Sequence, residues 1–314
     1  MSQISEANRP VKRSEVSKLR WTWQEMKNNK TAYFMLAPFL LLFIIFTVLP
    51  VVLSIFLSLT DFNMLQMPHF LGIENYMRLF LDDEIFILAI QNTLVFAAIT
   101  GPVSYILALL VAWFINELPP KVRAVVTLIF YAPSISGNAY LIWKTLFSSD
   151  SYGWANAVLI KYGILTEPIL WFQDADYVMP LCIVVALWTS LGTAFLSFIA
   201  GFQTIDRSMY EAAAVDGIKN RWQELWFITL PSMKPQLMFG AVMQITNSLS
   251  ISSISTELAG FPSVSYAGHT ILVHLHDYGN VRYEMGYACT IAVVLFFIML
   301  LCNVLVQKLL RKIG

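Results

Sequence analysis

Charged side chains are scarce in this sequence: Asp, Glu, Lys and Arg together make up 13% of its 314 residues, against 57% hydrophobic ones. That balance is too apolar for a water-soluble chain of this size. Acidic and basic residues number 20 each, so no global positive field points to nucleic acid, and each basic residue has to be read by its position. Cysteine is also rare. Cys182, Cys289 and Cys302 fall inside apolar runs, where they act as small hydrophobes rather than as metal ligands or disulfide partners. No Gly-x-x-x-x-Gly-Lys-Ser/Thr run, nucleophile elbow or zincin motif occurs, so no nucleotide, metal or hydrolytic site is expected in this chain. The lack of an internal repeat argues against the secondary-transporter class. Residues 1–30 are polar and basic, without a short apolar core and cleavage site, so the first apolar segment is expected to remain as an anchor.

What is present is length in the apolar runs. A bilayer core of roughly 30 Å takes about 20 apolar residues in a helix, because backbone donors left unpaired in lipid are costly. Six stretches meet this: Tyr33 to Leu59, Leu88 to Ile115, Ala124 to Phe147, Val178 to Phe202, Gln236 to Leu258, and Glu284 to Leu310. The expected fold is therefore all-α, a polytopic membrane protein with six transmembrane helices. The third stretch is interrupted by the run from Tyr131 to Asn138, and broken helix at membrane depth is tolerated only against protein or a wet cavity.

Lys and Arg favour the cytoplasmic side of short loops. Arg9, Lys12, Arg13, Lys18, Arg20, Lys27 and Lys30 precede the first span. Lys121 and Arg123 lie between spans two and three, Arg207, Lys219, Arg221 and Lys234 between four and five, and Lys308, Arg311 and Lys312 close the chain. Six crossings put all of these on one side and leave acids such as Asp82, Asp83, Glu84, Asp174 and Asp176 opposite. The organisation expected is a cytoplasmic tail over 1–32, a transmembrane domain over 33–310 with a cytoplasmic loop at 203–235, and a cytoplasmic end at 311–314.

Within that loop, Asp206 to Pro231 reads as helix, turn, helix. Asp206 can accept from free amides at the helix start, Ala212, Ala213 and Ala214 favour helix and leave a low-profile face, and Gly217 suits a left-handed stop. Asn220 can start a second helix whose Trp222, Leu225, Trp226 and Ile228 recur at helical spacing. Periodicity alone leaves two readings open, a peg for another protein's groove and an amphipathic hairpin on the membrane surface.

Glu211-Ala-Ala, then Gly217, then Ile228-Thr-Leu-Pro231 resembles the Glu-Ala-Ala signature of permease subunits in binding-protein-dependent ABC importers. Ala37-Pro38, Leu49-Pro50, Phe70-Leu-Gly-Ile-Glu-Asn-Tyr76, Gln91-Asn92-Thr93 and Phe130-Tyr-Ala-Pro133 extend the resemblance to the sugar branch containing maltose and glycerol-phosphate permeases. The resemblance implies a coupling helix at Glu211, Ala212, Ala213, Asp216 and Gly217 that docks on a separate ATPase, which binds ATP and Mg. It also implies a second similar permease, two ATPase copies, an extracytoplasmic sugar-binding protein and alternating access in the cytoplasmic membrane. One departure is ten residues between Gly217 and Ile228 where the common pattern has nine; the turn around Lys219 and Asn220 is expected to absorb it.

Span five is unusually polar. Gln244, Asn247 and Ser248 share one helical side, with Ser250 beyond, and span four adds Trp188, Thr189, Ser190 and Thr193. Amides and hydroxyls beside an aromatic face suit a sugar ring, and the same groups can equally bond one helix to another. Tyr131, Pro133, Asn138, Tyr140 and Trp143 are expected to kink span three rather than line the route. His274, His276 and Asp277, like Asp82, Asp83 and Glu84, are expected to be solvated. Against the importer stand an ion-coupled secondary sugar carrier, which would need charged groups at mid-membrane, and an enzyme acting on lipid-linked sugar, which would need catalytic groups gathered at one interface.

Overall fold

The computed structural model describes residues 25–27 and 29–313, with side chains as far as 310. Most of the 1–32 tail with Arg9, Lys12, Arg13, Lys18 and Arg20, and the side chains of Arg311 and Lys312, lie outside the described residues. Among those described, helix dominates; the sheet-like element is an isolated bridge between Thr60 and Phe70.

Among the described residues five helices are long and apolar enough to cross a membrane: Lys30–Leu57, Glu84–Asn116, Ala175–Thr204, Lys234–Ala259 and Met285–Leu310. The pair Pro120–Ile135 and Tyr140–Leu146, bent by 80° at its break, makes the sixth. Span two begins at Glu84 rather than Leu88, because the Asp83 carboxylate accepts from the Phe86 amide at 2.9 Å and so caps the helix. The chain divides into two compact units, Met1–Phe56 and Leu57–Gly314. The first holds span one, an apolar helix on all sides as lipid demands, with a π turn at Ile44–Val48 just before Pro50. Proline cannot donate to the carbonyl four residues back and clashes with it, so the helix widens there.

The second unit is built on spans two, four and five. Phe195 and Phe198 of span four are fully buried with Ala108 and Ala112 of span two, and Met233 joins them from the segment leading into span five. Leu79, Phe86, Ile271 and Ile291 form a separate cluster near the start of span two. Lipid offers helices no hydrophobic reason to associate, so their packing rests on close contact and interhelical hydrogen bonds. Gly240 of span five illustrates it: a Cβ there would run into the Phe198 ring. Gly240→Val is expected to destabilise the fold by about 1–3 kcal/mol through overpacking. Thermal unfolding of the detergent-solubilised protein checks this, and an unchanged midpoint would remove the contact from the packing.

Among the described residues three spans are discontinuous. Span three breaks over residues 136–139, span four between Thr189 and Thr193, and span five between Leu249 and Ser253. The sequence pattern indicates only the first. Ser190, Ser250 and Ser252 stand at the other two, where hydroxyls compete with the helical ladder for backbone partners.

Candidate functional site

The breaks meet at a cavity of about 510 Å³. Its walls include Thr189, Ser190 and Thr193 from span four and Gln244, Asn247, Ser248 and Ser250 from span five. Every substrate-site residue expected from the sequence is thus there except Trp188, whose ring instead stacks edge-on against Trp143 with centroids 5.6 Å apart. Tyr131, Pro133 and Tyr140 of span three also line the cavity, so they do more than kink the helix, whereas Asn138 and Trp143 stay out of the wall. Thr100 and Ser104 of span two and Ser134, Ser136 and Gly137 at the span-three break belong to it as well, although composition gave them no distinction.

The side chains differ in what they have left to offer. Gln244 is buried and its Nε2 donates to the Ser190 carbonyl at 3.3 Å, which ties spans four and five together. Ser190 and Ser248 donate to the carbonyls of Leu187 and Ile245 at 2.7 and 3.0 Å. Asn247 is exposed to the cavity, and among the described residues its amide has no hydrogen-bond partner. It keeps both donor and acceptor for a ligand.

At one end of the bundle lies the 206–231 loop. The Asp206 carboxylate accepts from the Ser208 amide at 3.0 Å, a bond that holds its carboxyl below the ordinary value, and the helix Arg207–Val215 follows. It ends in a Schellman turn: the Ile218 amide donates to the Ala213 carbonyl at 3.0 Å, and Gly217 sits at φ +94°. Asn220 caps the next helix by accepting from the Gln223 amide at 2.8 Å. Residues 216–220 are non-helical, so helical register does not pass through them, as expected for the longer spacing. A π turn at Leu225–Thr229, which holds one residue more per ring than an α turn, offers a second place for the extra residue.

Glu211, Ala212, Asp216 and Gly217 are exposed on this loop. Ala213, expected with them, is 7% exposed and turned inward. Exposed apolar side chains flank the helix, Val215 at 88% and Met209 at 45%. The loop is strapped to the end of span two. Arg221 reaches Glu117 at 3.0 Å and Glu224 at 2.8 Å, and the Trp222 and Trp113 rings lie 4.9 Å apart.

The opposite end corrects another expectation. His274 is 1% exposed and the Asp83 side chain 8%. His274 Nε2 lies 3.0 Å from Asp83 Oδ2, which also accepts from the Tyr287 hydroxyl at 2.8 Å, and His269 Nε2 lies 3.0 Å from His274 Nδ1. Asp277 is buried too, while Asp82, Glu84 and His276 are exposed as expected. Burial pushes the Asp83 carboxyl up, but the bonds from His274, Tyr287 and the Phe86 amide outweigh it and hold the group well below the carboxylate range. Among the described residues no group of three His, Cys, Asp or Glu side chains is arranged to hold a metal ion.

Comparison with known proteins gives this architecture a family. Residues 85–314 match the family described as the binding-protein-dependent transport system inner membrane component. The probable ABC transporter permease protein YesP of Bacillus subtilis (strain 168) is 31% identical over 291 residues, covering 90% of this chain and 91% of that one. The arabinooligosaccharides transport system permease protein AraP of the same organism is 29% identical, covering 91% of each. The crystal structure of a bacterial ABC transporter involved in the import of the acidic polysaccharide alginate superposes with a TM-score of 0.71 at 27% identity, over 92% of this chain and 99% of that one. Neither the ion-coupled carrier nor the lipid-sugar enzyme gains any support. With its broken spans around a polar cavity and its helical loop at one end, the chain belongs to the family of inner membrane components of binding-protein-dependent transport systems, as a permease subunit of an ABC transporter.

Proposed function

We propose that this chain forms one of two permease halves of an ATP-driven importer of sugars or oligosaccharides, with cargo contacts in the cavity at the helix breaks. The observation that carries this reading is the gathering of Thr189, Ser190, Thr193, Gln244, Asn247, Ser248 and Ser250 around one cavity, with the Tyr131 and Tyr140 rings beside them. Hydroxyls and amides next to aromatic surface match a sugar's edge and face. The arabinooligosaccharide cargo named for AraP supports the same class.

ATP and Mg are held by a separate ATPase pair, which grips the exposed surface of Glu211, Ala212, Asp216 and Gly217. Its closure moves the Arg207–Val215 helix, and the Arg221–Glu117 pair and the Trp222–Trp113 contact pass the displacement to span two. Spans two, four and five pack closely, so they shift together and exchange an inward for an outward opening. An extracytoplasmic sugar-binding protein favours the outward form by binding it more tightly. Both termini and the 203–235 loop lie on the cytoplasmic side of the inner membrane, supported by the basic residues in those segments.

Asn247→Ala is the test. Loss of one free amide is expected to slow sugar uptake roughly three- to tenfold or to change sugar preference, with basal ATPase activity intact. Uptake kinetics in proteoliposomes across several sugars check it, and kinetics unaltered for all of them would take Asn247 out of the site.

A further inference from the structure

The cavity is polar without being charged. Among the described residues that line it there is no Asp, Glu, Lys, Arg or His. Lys144, one turn along the helix from Tyr140, stays out of the wall and donates to the Glu257 carbonyl at 3.3 Å.

Five of its hydroxyls donate to carbonyls of their own helices. Thr100 donates to the Phe96 carbonyl at 2.8 Å, Ser134 to Tyr131 at 2.8 Å, Thr189 to Val185 at 3.1 Å, Ser190 to Leu187 at 2.7 Å and Ser248 to Ile245 at 3.0 Å. Each therefore turns oxygen lone pairs toward the cavity, as an acceptor. The donors left free are all neutral: the Asn247 amide, hydroxyls such as those of Ser104, Ser136 and Thr193, and the first amides of the helix that begins at Thr193. The positive end of that helix faces the negative end of Ala175–Thr189 across the break, so the two partial charges offset one another.

We infer that this cavity selects uncharged saccharides and turns away those carrying carboxylate or phosphate groups. The inference rests on the sugar-import reading and narrows its substrate class. A neutral sugar can both donate to and accept from this wall's hydroxyls and the Asn247 amide, and it needs no counter-charge. A uronate or sugar phosphate would leave its hydration shell for a wall that has no counter-charge, a transfer that is strongly unfavourable. Similarity to an importer of an acidic polysaccharide thus does not extend to the cargo.

The test uses the purified permease–ATPase complex without binding protein, so that the cavity alone does the choosing. Neutral galacto- and arabino-oligosaccharides are titrated against oligogalacturonates of equal length, with protection against thermal unfolding as the readout. The neutral sugars are expected to bind at least about a hundredfold more tightly than the acidic ones. Ser134→Lys, which supplies the missing cation, is expected to close that gap. Oligogalacturonate binding as tight as neutral sugar in the unmodified complex would overturn the inference. So would silence toward every sugar while ATP-driven uptake of neutral sugar persisted in proteoliposomes, because the cargo would then bypass this wall. Failure of ATP-driven uptake for all sugars would instead strike the importer reading itself.

Discussion

Gly217→Asp is expected to abolish both sugar uptake and transport-linked ATPase activity while the protein is still made and inserted. Gly217 holds φ +94° at the end of the Arg207–Val215 helix, and a Cβ there meets nothing within 4 Å, so the penalty is in the backbone and not in a clash. Left-handed backbone costs an L-residue about 1–2 kcal/mol, enough to shift the loop's equilibrium about tenfold away from the docking conformation. Aspartate adds a negative charge beside Asp216 and Glu211 on the exposed face that the ATPase would grip. Gly217→Asn separates the two effects, since asparagine makes nearly the same backbone demand as aspartate and carries no charge. The expected order is Gly above Asn above Asp, for uptake and for ATPase stimulation alike. Persistence of both activities in Gly217→Asp at normal expression would sink the coupling assignment.

What was legible in the sequence is local. The capping role of Asp206, the left-handed stop at Gly217 and the Asn220 start each depend on a few neighbouring residues, and the structure has all three. The apolar runs give the spans because lipid leaves a chain little alternative to helix. The cavity was half legible. Polar residues inside spans four and five stand out against an apolar background, but Ser134, Ser136 and Gly137 read as a mere kink because nothing local says what the break faces. Trp188 was misplaced for a related reason: its partner Trp143 sits on another span, and only tertiary packing decides that the ring turns there. The Trp113–Trp222 contact and the Arg221–Glu117 pair join segments about a hundred residues apart, beyond any periodicity. Asp83 and His274 are farther apart still, 191 residues in sequence, and in isolation each looks like an ordinary loop residue.

Asp83→Ala is expected to cost about 2–4 kcal/mol of stability, because it leaves the buried His274 ring nitrogen and the Tyr287 hydroxyl without their partner. The carboxylate is the hub of the opposite end of the bundle: it caps span two at Phe86, receives Tyr287 from span six and holds His274 of the 260–284 connection. His269 extends the chain behind His274, and Asp277, Tyr278, Arg78 and Arg282 surround it. Arg78 lies 4.3 Å over the Tyr287 ring and Arg282 is 4.4 Å from that of Tyr278. The same cluster sets an acid limit. Burial, and then the neighbouring His274, push the His269 imidazole down to about 4 from its ordinary 6.5, against weaker pulls from Asp277 and Asp83. Its folded value lies below its unfolded one, so the unfolded state binds more protons between them. The contribution of His269 is therefore complete above pH 6.5 and declines as pH falls toward about 4. Asp83, also depressed, keeps its contribution above its ordinary value of 3.8 and loses it only below that. Melting temperatures of the solubilised protein should thus begin to fall below about pH 6.5 and fall again in stronger acid. His269→Gln should flatten the first decline, and Asp83→Ala should lower the whole curve and remove the second. A curve for His269→Gln that tracked the unmodified protein through the first window would show that the buried imidazole does not set that limit.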